Sequence, residues 1–520
     1  MHGHFDDIAA LLTDPLDRDS RPALSGGKLS RPLLGEVLSR VAVCTPPQVV
    51  RADIAGGKML RHQLPLSEGS VSKAVSTLLD RRFLQDAELK AGERKPGPGR
   101  PGAPVALSRS RWFTIGLHIA HVRSRPSTVT AVAATLDDQV LGAPVEAQVK
   151  GETGSAWPID AVAEAILVAI DMVVVQKAVR DREENGWLPL LGVGVGVGAH
   201  VHQGLVVADK QAYRLGAALS GLLEVPVVVE NDANALAVRE TYGAIAGHHD
   251  FAFVLVTDEG VGSALVLGGR VHRGSDGMAG EIGHLPVPRG REPAADVCSC
   301  RQRDHLDAYA TPQRIADALG LESVGEFHSA GRTGKKAERV FEDAGLALGH
   351  GLATLVTVAN PKQLIVQLPP MLHEEGASGR FGELYRKAAA AEVQRSFSTG
   401  GQTAILWRRP LVTTSGLAVM CARAAAVRVF TEFIDHLAGI DGCDAERGLS
   451  AWLASGQAAV VGGALGVFAG GYVAGPGGAA LAGVAISGLV RRLSGPKTTI
   501  GKAARITPTR RQRLVIYERD

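Results

Sequence analysis

The feature of the sequence that most constrains the fold is an alternation of strand-like apolar runs with long helical stretches after residue 111. Five runs are rich in β-branched and small apolar residues: FTIGLHIA, TVTAVAATL, LGVGVGVGAHV, VPVVVEN and FAFVLVT. Helical periodicity fills IDAVAEAILVAIDMVVVQKAVR and DANALAVRETYGAI. Such alternation is typical of α/β layering. The 520 residues are 45% hydrophobic, which allows several domains with sizeable cores.

Charge and cysteine content narrow the class of protein. The 56 Lys and Arg nearly balance the 53 Asp and Glu, so any DNA-binding surface must be local. Five cysteines in a chain of this length do not make a disulfide framework, and a reducing cytoplasm is the expected compartment. The N-terminus lacks a basic start followed by an apolar run, so no secretory signal is predicted.

Residues 445–520 form a Gly/Ala-rich extension with a basic tail, to which the sequence assigns no function. No charged residue occurs from Gly448 to Val490. The segment is long enough for a membrane span, but it is mostly Ala and Gly and contains Pro476. We favour a packing segment or a poorly ordered extension over a membrane hairpin, and so predict no membrane partner. The tail is interpreted as solvated rather than as bound to DNA or anionic lipid.

Three amphipathic stretches predict a small, mainly α domain at residues 28–110, after a tail at 1–27. They are RPLLGEVLSRVAV, VVRADIAGGKML and LSEGSVSKAVSTLLDRRFL. Ser67 is expected to cap the third helix, which places Val71, Val75 and Leu78 on one face. Small polar residues and a lysine on the other face suit the major groove of DNA. The alternative is a packing helix in an ordinary three-helix domain.

The basic stretch ELKAGERKPGPGRPGAPVAL follows the third helix and favours a winged helix-turn-helix. A Gly/Pro-rich basic loop at this place can reach phosphates or the minor groove, with Arg100 at its tip. A plain linker is the alternative. The predicted DNA-binding residues are Ser67, Ser70, Ser72, Lys73 and Arg100.

The run VVVENDANALA places Glu230, Asn231 and Asp232 where a strand ends and a helix begins. Such strand ends present ligand-binding groups in α/β folds. Asp232 at the helix start could accept a proton from a substrate hydroxyl, or it could only cap the helix.

The winged helix, ENDAN, HRGSDGMAGEIGH and CSC together resemble the ROK family of sugar-responsive repressors and sugar kinases. The resemblance spans about residues 30–440 and implies a two-lobed actin/hexokinase-like α/β domain, placed here at 111–444. It implies that the sugar-facing residues are Asn231, Asp232, Glu281, His284 and Asp307. Asp232 would be the catalytic base in a kinase.

The segments at the places of the family's phosphate loops depart from its pattern. GLHIAHVRS has His118 in place of an aspartate and Ala120 in place of a glycine, and TDEGVG carries Asp258 and Glu259. Phosphoryl transfer needs charge neutralisation, which acidic side chains oppose. The nucleotide site is therefore interpreted as lost, and no catalytic residue is predicted.

The resemblance also implies a structural zinc. The family's ligands are one histidine and three cysteines, and His305 stands here in the place of the third cysteine. The predicted ligands are His284, Cys298, Cys300 and His305, a Cys₂His₂ set suited to tetrahedral Zn²⁺. A metal-free loop is the alternative. Asp307 replaces the family's glutamate and is one methylene shorter, so its sugar contact is the least secure.

The sequence as a whole predicts a cytoplasmic, sugar-responsive DNA-binding transcriptional regulator. The favoured form is a repressor that a sugar or sugar derivative releases from double-stranded operator DNA. A homodimer or a dimer of dimers is expected, because two-fold operators offer two half-sites. Two alternatives stay open: an ATP-dependent sugar kinase, and a DNA-bound protein without an effector.

Overall fold

The computed structural model describes most of the chain as far as residue 438. The described residues are 2–13, 30–43, 49, 51–56, 66–87, 104–120, 127–150, 159–183, 188–208, 211–242, 249–258, 260–288, 298, 300, 302–322, 326, 334–373, 380–396, 403–408 and 414–438. The predictions for the extension at 445–520 and for Arg100 and Glu259 therefore lie outside the described residues. In the described part, no helix combines the length and the apolar character that a membrane crossing requires.

The N-terminal unit consists of four helices followed by a two-stranded antiparallel sheet. The elements are α1 (His2–Thr13), α2 (Arg31–Ala42), α3 (Arg51–Gly56), α4 (Glu68–Asp80), β1 (Leu84–Asp86) and β2 (Val105–Leu107). The predicted second and third helical stretches correspond to α3 and α4. The segment taken as a tail at 1–27 contains α1, whose Phe5, Ile8 and Leu12 are buried. This helix is not among the elements that the sequence pattern predicted.

The first lobe is a five-stranded sheet with helices on its faces and a small three-stranded sheet at its edge. Its elements are β3 (Phe113–Ala120), β4 (Thr128–Thr135), β5 (Val140–Gln148), α5 (Ile159–Val174), α6 (Lys177–Arg180), β6 (Leu190–Val197), β7 (His200–His202), β8 (Leu205–Ala208), β9 (Gln211–Tyr213), α7 (Leu215–Leu223), β10 (Val227–Asn231) and α8 (Asp232–Tyr242). The strand order is β10-β6-β3-β4-β5, and β3, β6 and β10 run parallel.

The second lobe is also built on a five-stranded sheet. Its elements are β11 (Phe251–Val256), β12 (Val261–Leu267), β13 (Arg270–His272), α9 (Asp307–Ala310), α10 (Pro312–Leu319), α11 (Lys335–Ala359), β14 (Gln363–Gln367), α12 (Arg380–Ser396) and β15 (Ala404–Arg408), with short 3₁₀ turns at Ile282–His284 and Pro370–Leu372. The strand order is β13-β12-β11-β14-β15. The two layered sheets agree with the α/β architecture that the strand and helix pattern predicts.

The last helix of the described residues, α13 (Thr414–Ala438), returns to the first lobe and packs across its sheet. A side chain at Gly116 of β3 or at Gly194 of β6 would overlap the backbone of α13 at Ala422 and Ala425. The alternating glycines of LGVGVGVG thus give a sheet face without side chains, on which an alanine-rich helix can lie closely.

A single hydrophobic cluster joins the N-terminal unit to the first lobe. It contains Leu38 of α2 and Val75 of α4, Phe433 of α13, and Val238 and Tyr242 at the end of α8. The Trp112 indole donates to the Arg81 carbonyl at 3.0 Å, which fixes the connection between the N-terminal unit and β3. The boundary predicted near residue 110 is therefore a packed junction.

Candidate functional site

Asn231 and Asp232 lie where β10 ends and α8 begins, as the sequence predicts. Asn231 Oδ1 accepts hydrogen bonds from the backbone N–H groups of Ala233 and Asn234, at 3.0 and 3.3 Å. Its Nδ2 donates to the Ala199 carbonyl at 3.1 Å. The Asn231 amide therefore caps α8 and ties it to the β6–β7 connection, so much of its hydrogen-bonding capacity is already used.

Asp232 is the more available of the two polar groups. Its Oδ1 accepts from the Ala233 N–H at 2.7 Å. Burial raises the pKa of Asp232 to about 7, against the opposing effect of the Ala233 N–H, and the nearby Glu281 carboxylate adds to the rise. A carboxyl with a pKa near neutrality can exchange a proton with a ligand hydroxyl or hold a strong hydrogen bond to it.

Glu281 and Asp307 come from the second lobe. Burial raises the pKa of Glu281, which His284 and His200 oppose and Asp307 reinforces. Burial also raises the pKa of Asp307. Asp307 Oδ1 accepts from the Val261 N–H at 2.8 Å, at the start of β12. One oxygen of Asp307 thus holds the second lobe together, which limits the part it can take in ligand binding.

His284, Cys298, Cys300 and His305 form a cluster whose ligand atoms all lie within 4.8 Å of one another. His284 Nδ1 is 3.1 Å from Cys298 Sγ, and His305 Nδ1 is 3.2 Å from Cys300 Sγ. Bonds of about 2.3 Å to sulfur and about 2.0 Å to nitrogen place neighbouring ligand atoms of a tetrahedral zinc roughly 3.5 Å apart. The donor set and its dimensions therefore fit a structural zinc.

Local hydrogen bonds place these four side chains together. The Val287 N–H donates to the Asp304 carbonyl at 2.8 Å, and the Leu306 N–H donates to the Leu285 carbonyl at 2.9 Å. Asp304 has a φ of +64°, in the left-handed region that residues with a side chain rarely adopt. These contacts bring the segment after residue 302 back against the 3₁₀ turn that carries His284.

Four of the five predicted DNA-facing residues, Ser67, Ser70, Ser72 and Lys73, lie on or beside α4, and Arg100 is outside the described residues. Ser67 Oγ accepts from the Ser70 N–H at 3.1 Å, so it caps the helix as predicted. Arg51 Nη1 donates to Ser72 Oγ at 3.1 Å, which links α3 to α4. Lys73 is exposed. The sequence analysis missed Arg51, because a contact between two helices leaves no local periodic signal.

The two segments that stand where the family has its phosphate loops, around His118 and Asp258, have different surroundings. His118 is buried in β3, and burial lowers its pKa to about 4, so it is neutral at physiological pH. At the second place, Thr257 Oγ1 accepts from the Gly260 N–H at 3.0 Å and closes a tight turn that holds Asp258. Neither the neutral His118 nor Asp258 is itself a cation that could bind phosphate oxygens.

A buried ionic group that was not predicted from the sequence lies beside the candidate site. Glu230 Oε2 accepts from Arg273 Nε at 3.1 Å and from Arg428 Nε at 3.3 Å. The signal was present, because a glutamate within the apolar run VVVEN must be paired if it is buried. The partners were beyond sequence reasoning, since they lie 43 and 198 residues away.

Comparison with known proteins assigns the class of this fold. The model of the ROK family matches residues 153–394, so the chain contains a ROK family domain. A solved structure of a ROK family transcriptional regulator, described as a homologue of the E. coli MLC protein, superposes with a TM-score of 0.55 at 17% identity. It covers 78% of this chain and 98% of that one. At this identity the likeness establishes the actin/hexokinase-like α/β fold alone.

Curated relatives of two kinds, repressors and kinases, match part of this chain. The xylose repressor of Bacillus subtilis is 25% identical over 193 residues, which is 34% of this chain and 48% of the repressor. The glucokinase of Halalkalibacterium halodurans is 28% identical over 165 residues, which is 28% of this chain and 48% of the kinase. This chain therefore spans about half the length of the curated relatives that it matches.

Proposed function

We propose that this protein is a sugar-responsive, DNA-binding transcriptional regulator, and that a sugar or sugar derivative releases it from its operator. The observation that carries the proposal is the shared hydrophobic cluster between the N-terminal unit and α8, the helix that begins at Asp232. A DNA-binding unit packed on the helix of a ligand site is the arrangement that ligand control requires. The likeness to xylose repressors supports this reading of the ROK domain.

The N-terminal unit would be the winged helix-turn-helix. In this proposal α3 and α4 form the helix-turn-helix, α4 enters the major groove, and β1 and β2 are the strands of the wing. Ser70, Ser72 and Lys73 would face DNA, with Arg100 on the wing. Ser67 caps α4, so its contact with DNA would be limited to the phosphates of the DNA backbone.

The sugar would bind between the two lobes. Asp232 and Glu281 would accept hydrogen bonds from its hydroxyls, with Asn231, His284 and Asp307 completing the site. A zinc held by His284, Cys298, Cys300 and His305 would be structural, because four protein ligands leave no open position for a reacting water. The metal would fix the His284 ring so that its other nitrogen meets the sugar.

Regulation would follow from lobe closure in a cytoplasmic homodimer or dimer of dimers. Closure around the sugar would change the spacing of the two DNA-binding units and shift the population off the operator. Capture and sequencing of genomic fragments with the purified chain, with and without a panel of sugars, tests the proposal. Enrichment of a palindromic site that one sugar releases is the expected result. A site whose capture no sugar alters would indicate a DNA-bound protein without an effector.

An ATP-dependent sugar kinase is the second candidate. The pKa of Asp232 near 7 favours it, because a general base works best near the operating pH. The neutral His118 and the acidic turn at Asp258 weigh against phosphate binding. A clear thermal shift with Mg-ATP, together with sugar-dependent release of ADP, would establish kinase activity. It would contradict the proposal that the protein is a regulator without catalytic activity.

A further inference from the structure

Glu230 lies directly beside the candidate sugar site but points away from it. It is the penultimate residue of β10, its side chain is 5% exposed, and Asn231 and Asp232 follow it. Glu230 Oε1 accepts from Asn234 Nδ2 at 3.3 Å and from the Asn231 N–H at 3.2 Å. One oxygen of this carboxylate therefore holds the strand end and the first turn of α8 in place.

The other oxygen of Glu230 is shared by two arginines from different elements. Arg273 follows β13 and starts the segment 273–281, which ends at Glu281, and Arg428 lies in the middle of α13. Burial alone would raise the pKa of Glu230, but the charges of Arg273 and Arg428 outweigh it and hold the pKa below its ordinary value. The carboxylate is thus an anion that both arginines bind at the same time through one oxygen.

One hydrogen bond closes the segment 273–281 on itself, and another joins it to β12. The Ala279 N–H donates to the Arg273 carbonyl at 3.1 Å, and the Ser263 hydroxyl donates to the Gly280 carbonyl at 2.6 Å. Gly274, Gly277 and Gly280 all have positive φ, a backbone conformation that is strained for residues with a side chain. A displacement of Glu281 by a ligand would therefore move Arg273 with the segment.

The C-terminal end of α13 carries the contact to the N-terminal unit. A side chain at Gly35 of α2 would lie 2.7 Å from the Ala438 backbone nitrogen and 2.9 Å from the Ile434 carbonyl oxygen, so the two helices touch through their backbones. The Asp6 carboxylate bridges Arg31 of α2 at 2.8 Å and His436 of α13 at 3.2 Å. A rotation of the part of α13 that follows Arg428 must therefore move α2.

We propose that Glu230 is the positioning residue that couples the sugar site to the DNA-binding unit, through competition between Arg273 and Arg428 for its carboxylate. This inference rests on the proposed function. When the segment 273–281 moves with a ligand, Arg273 withdraws and Glu230 binds Arg428 more tightly. The α13 helix then shifts, and α2 and α4 shift with it. Such a two-state side-chain arrangement is a physical route for coupling between separated sites.

The test measures amide hydrogen exchange of the full chain, without DNA or sugar. Arg273→Gln imitates the withdrawal of Arg273. We expect it to change protection in α2 and in the last two turns of α13 by at least about threefold. In an Arg428→Lys background, the same substitution should change protection in α2 by less than about twofold, because lysine lacks the guanidinium Nε–H that contacts the Glu230 carboxylate.

Arg423→Lys supplies the matched control. Arg423 also lies on α13 and binds a carboxylate outside the helix, that of Asp138, with 2.9 Å from Nη2 to Oδ2. In this background the effect of Arg273→Gln on α2 should persist. Equal effects with and without the arginine at 428, or no effect of Arg273→Gln on α2, would overturn the proposal.

The closing experiment separates this inference from the proposed function. Operator release by sugar is measured on the same variants. If the chain binds no DNA, but hydrogen exchange shows that the effect of Arg273→Gln on α2 depends on Arg428, the regulator proposal fails and the coupling proposal is supported. If sugar releases DNA equally from wild type and from Arg428→Lys, the coupling proposal fails and the regulator stands.

Discussion

Phe433 of α13 stacks on Phe83 of the N-terminal unit, with ring centroids 5.5 Å apart and planes inclined by 17°. Phe83 in turn stacks on Trp112 at 4.8 Å, just before β3. Both phenylalanine side chains are fully buried. The aromatic stack fastens the N-terminal unit to the rest of the chain, so this unit and the first lobe share one core.

Truncation of Phe433 should loosen this junction. Phe433→Ala removes a buried ring at the centre of the stack, and we expect a loss of about 3–5 kcal/mol in the free energy of unfolding. The measurement is urea unfolding combined with hydrogen exchange in α2 and α4, both of which should lose protection. Phe341→Ala is the control, because Phe341 is equally buried in the second lobe and should destabilise without exposing α4 preferentially.

The metal cluster should hold one zinc per chain. We expect Cys300→Ser to reduce the bound zinc at least tenfold and to lower the melting temperature, because a thiolate ligand is lost. Elemental analysis and thermal melts with and without a chelator check this. Cys421→Ala alters a buried cysteine on α13 and should retain the metal. A zinc-free wild-type protein that melts identically with the chelator would contradict the assignment.

The pKa of Asp232 predicts a dependence of stability on pH. Because burial raises the pKa to about 7, the folded protein keeps this proton after the unfolded chain has lost it. The stabilising effect of the bound proton is complete below pH about 4 and is lost as pH rises to about 7. Asp232→Asn should therefore gain stability relative to wild type by on the order of 2–3 kcal/mol between pH 5 and pH 8. A difference that stays constant across this range in urea unfolding would disprove the perturbed pKa.

Asp232 should also be needed for the response to sugar. Asp232→Ala removes the carboxylate that would accept sugar hydroxyls, so sugar should no longer release the protein from DNA, while DNA affinity stays within about twofold of wild type. Fluorescence anisotropy with a captured operator fragment measures both quantities. Asp181→Ala, at the exposed residue that follows the surface helix α6, should respond as wild type does. A normal sugar response from Asp232→Ala would show that the sensor site lies elsewhere.

Lys73 should contribute to DNA binding through charge. We expect Lys73→Ala to weaken operator binding about tenfold and to reduce the salt dependence by about one released counterion. Lys177 is an exposed lysine on α6, paired with Asp181, and Lys177→Ala should leave both quantities unchanged. DNA-binding titrations at several salt concentrations measure the operator affinity and its salt dependence for both variants. Equal losses in the two variants would indicate general electrostatics instead of a contact through α4.

Local features of the chain were accessible from the sequence. The cap at Ser67, the strand end at Asn231 and the strand runs of both lobes follow from turn chemistry and side-chain periodicity, which act over a few residues. The ligand set His284, Cys298, Cys300 and His305 came from a resemblance, and the structure places those atoms within bonding reach of one ion. These features could be predicted because their partners are close in sequence, or because a motif marks them.

The packing of the N-terminal unit against the first lobe could not be predicted from the sequence. Helix α1 was taken as a tail, because its burial depends on Phe433 and His436, more than 400 residues away. The shared carboxylate of Glu230 has the same origin, since Arg428 reaches it only after α13 folds back across the first sheet.

The sequence by itself determined the α/β layering, the capped helix α4 and the polar residues at the end of β10, because periodicity and local hydrogen bonding encode them. Only the tertiary structure decided that α13 lies on the glycine face of β3 and β6 and joins the sheet to α2. It also decided that Asn231 and Asp307 spend part of their hydrogen-bonding capacity on the fold. Long-range packing selects these partners, and no local pattern in the chain records it.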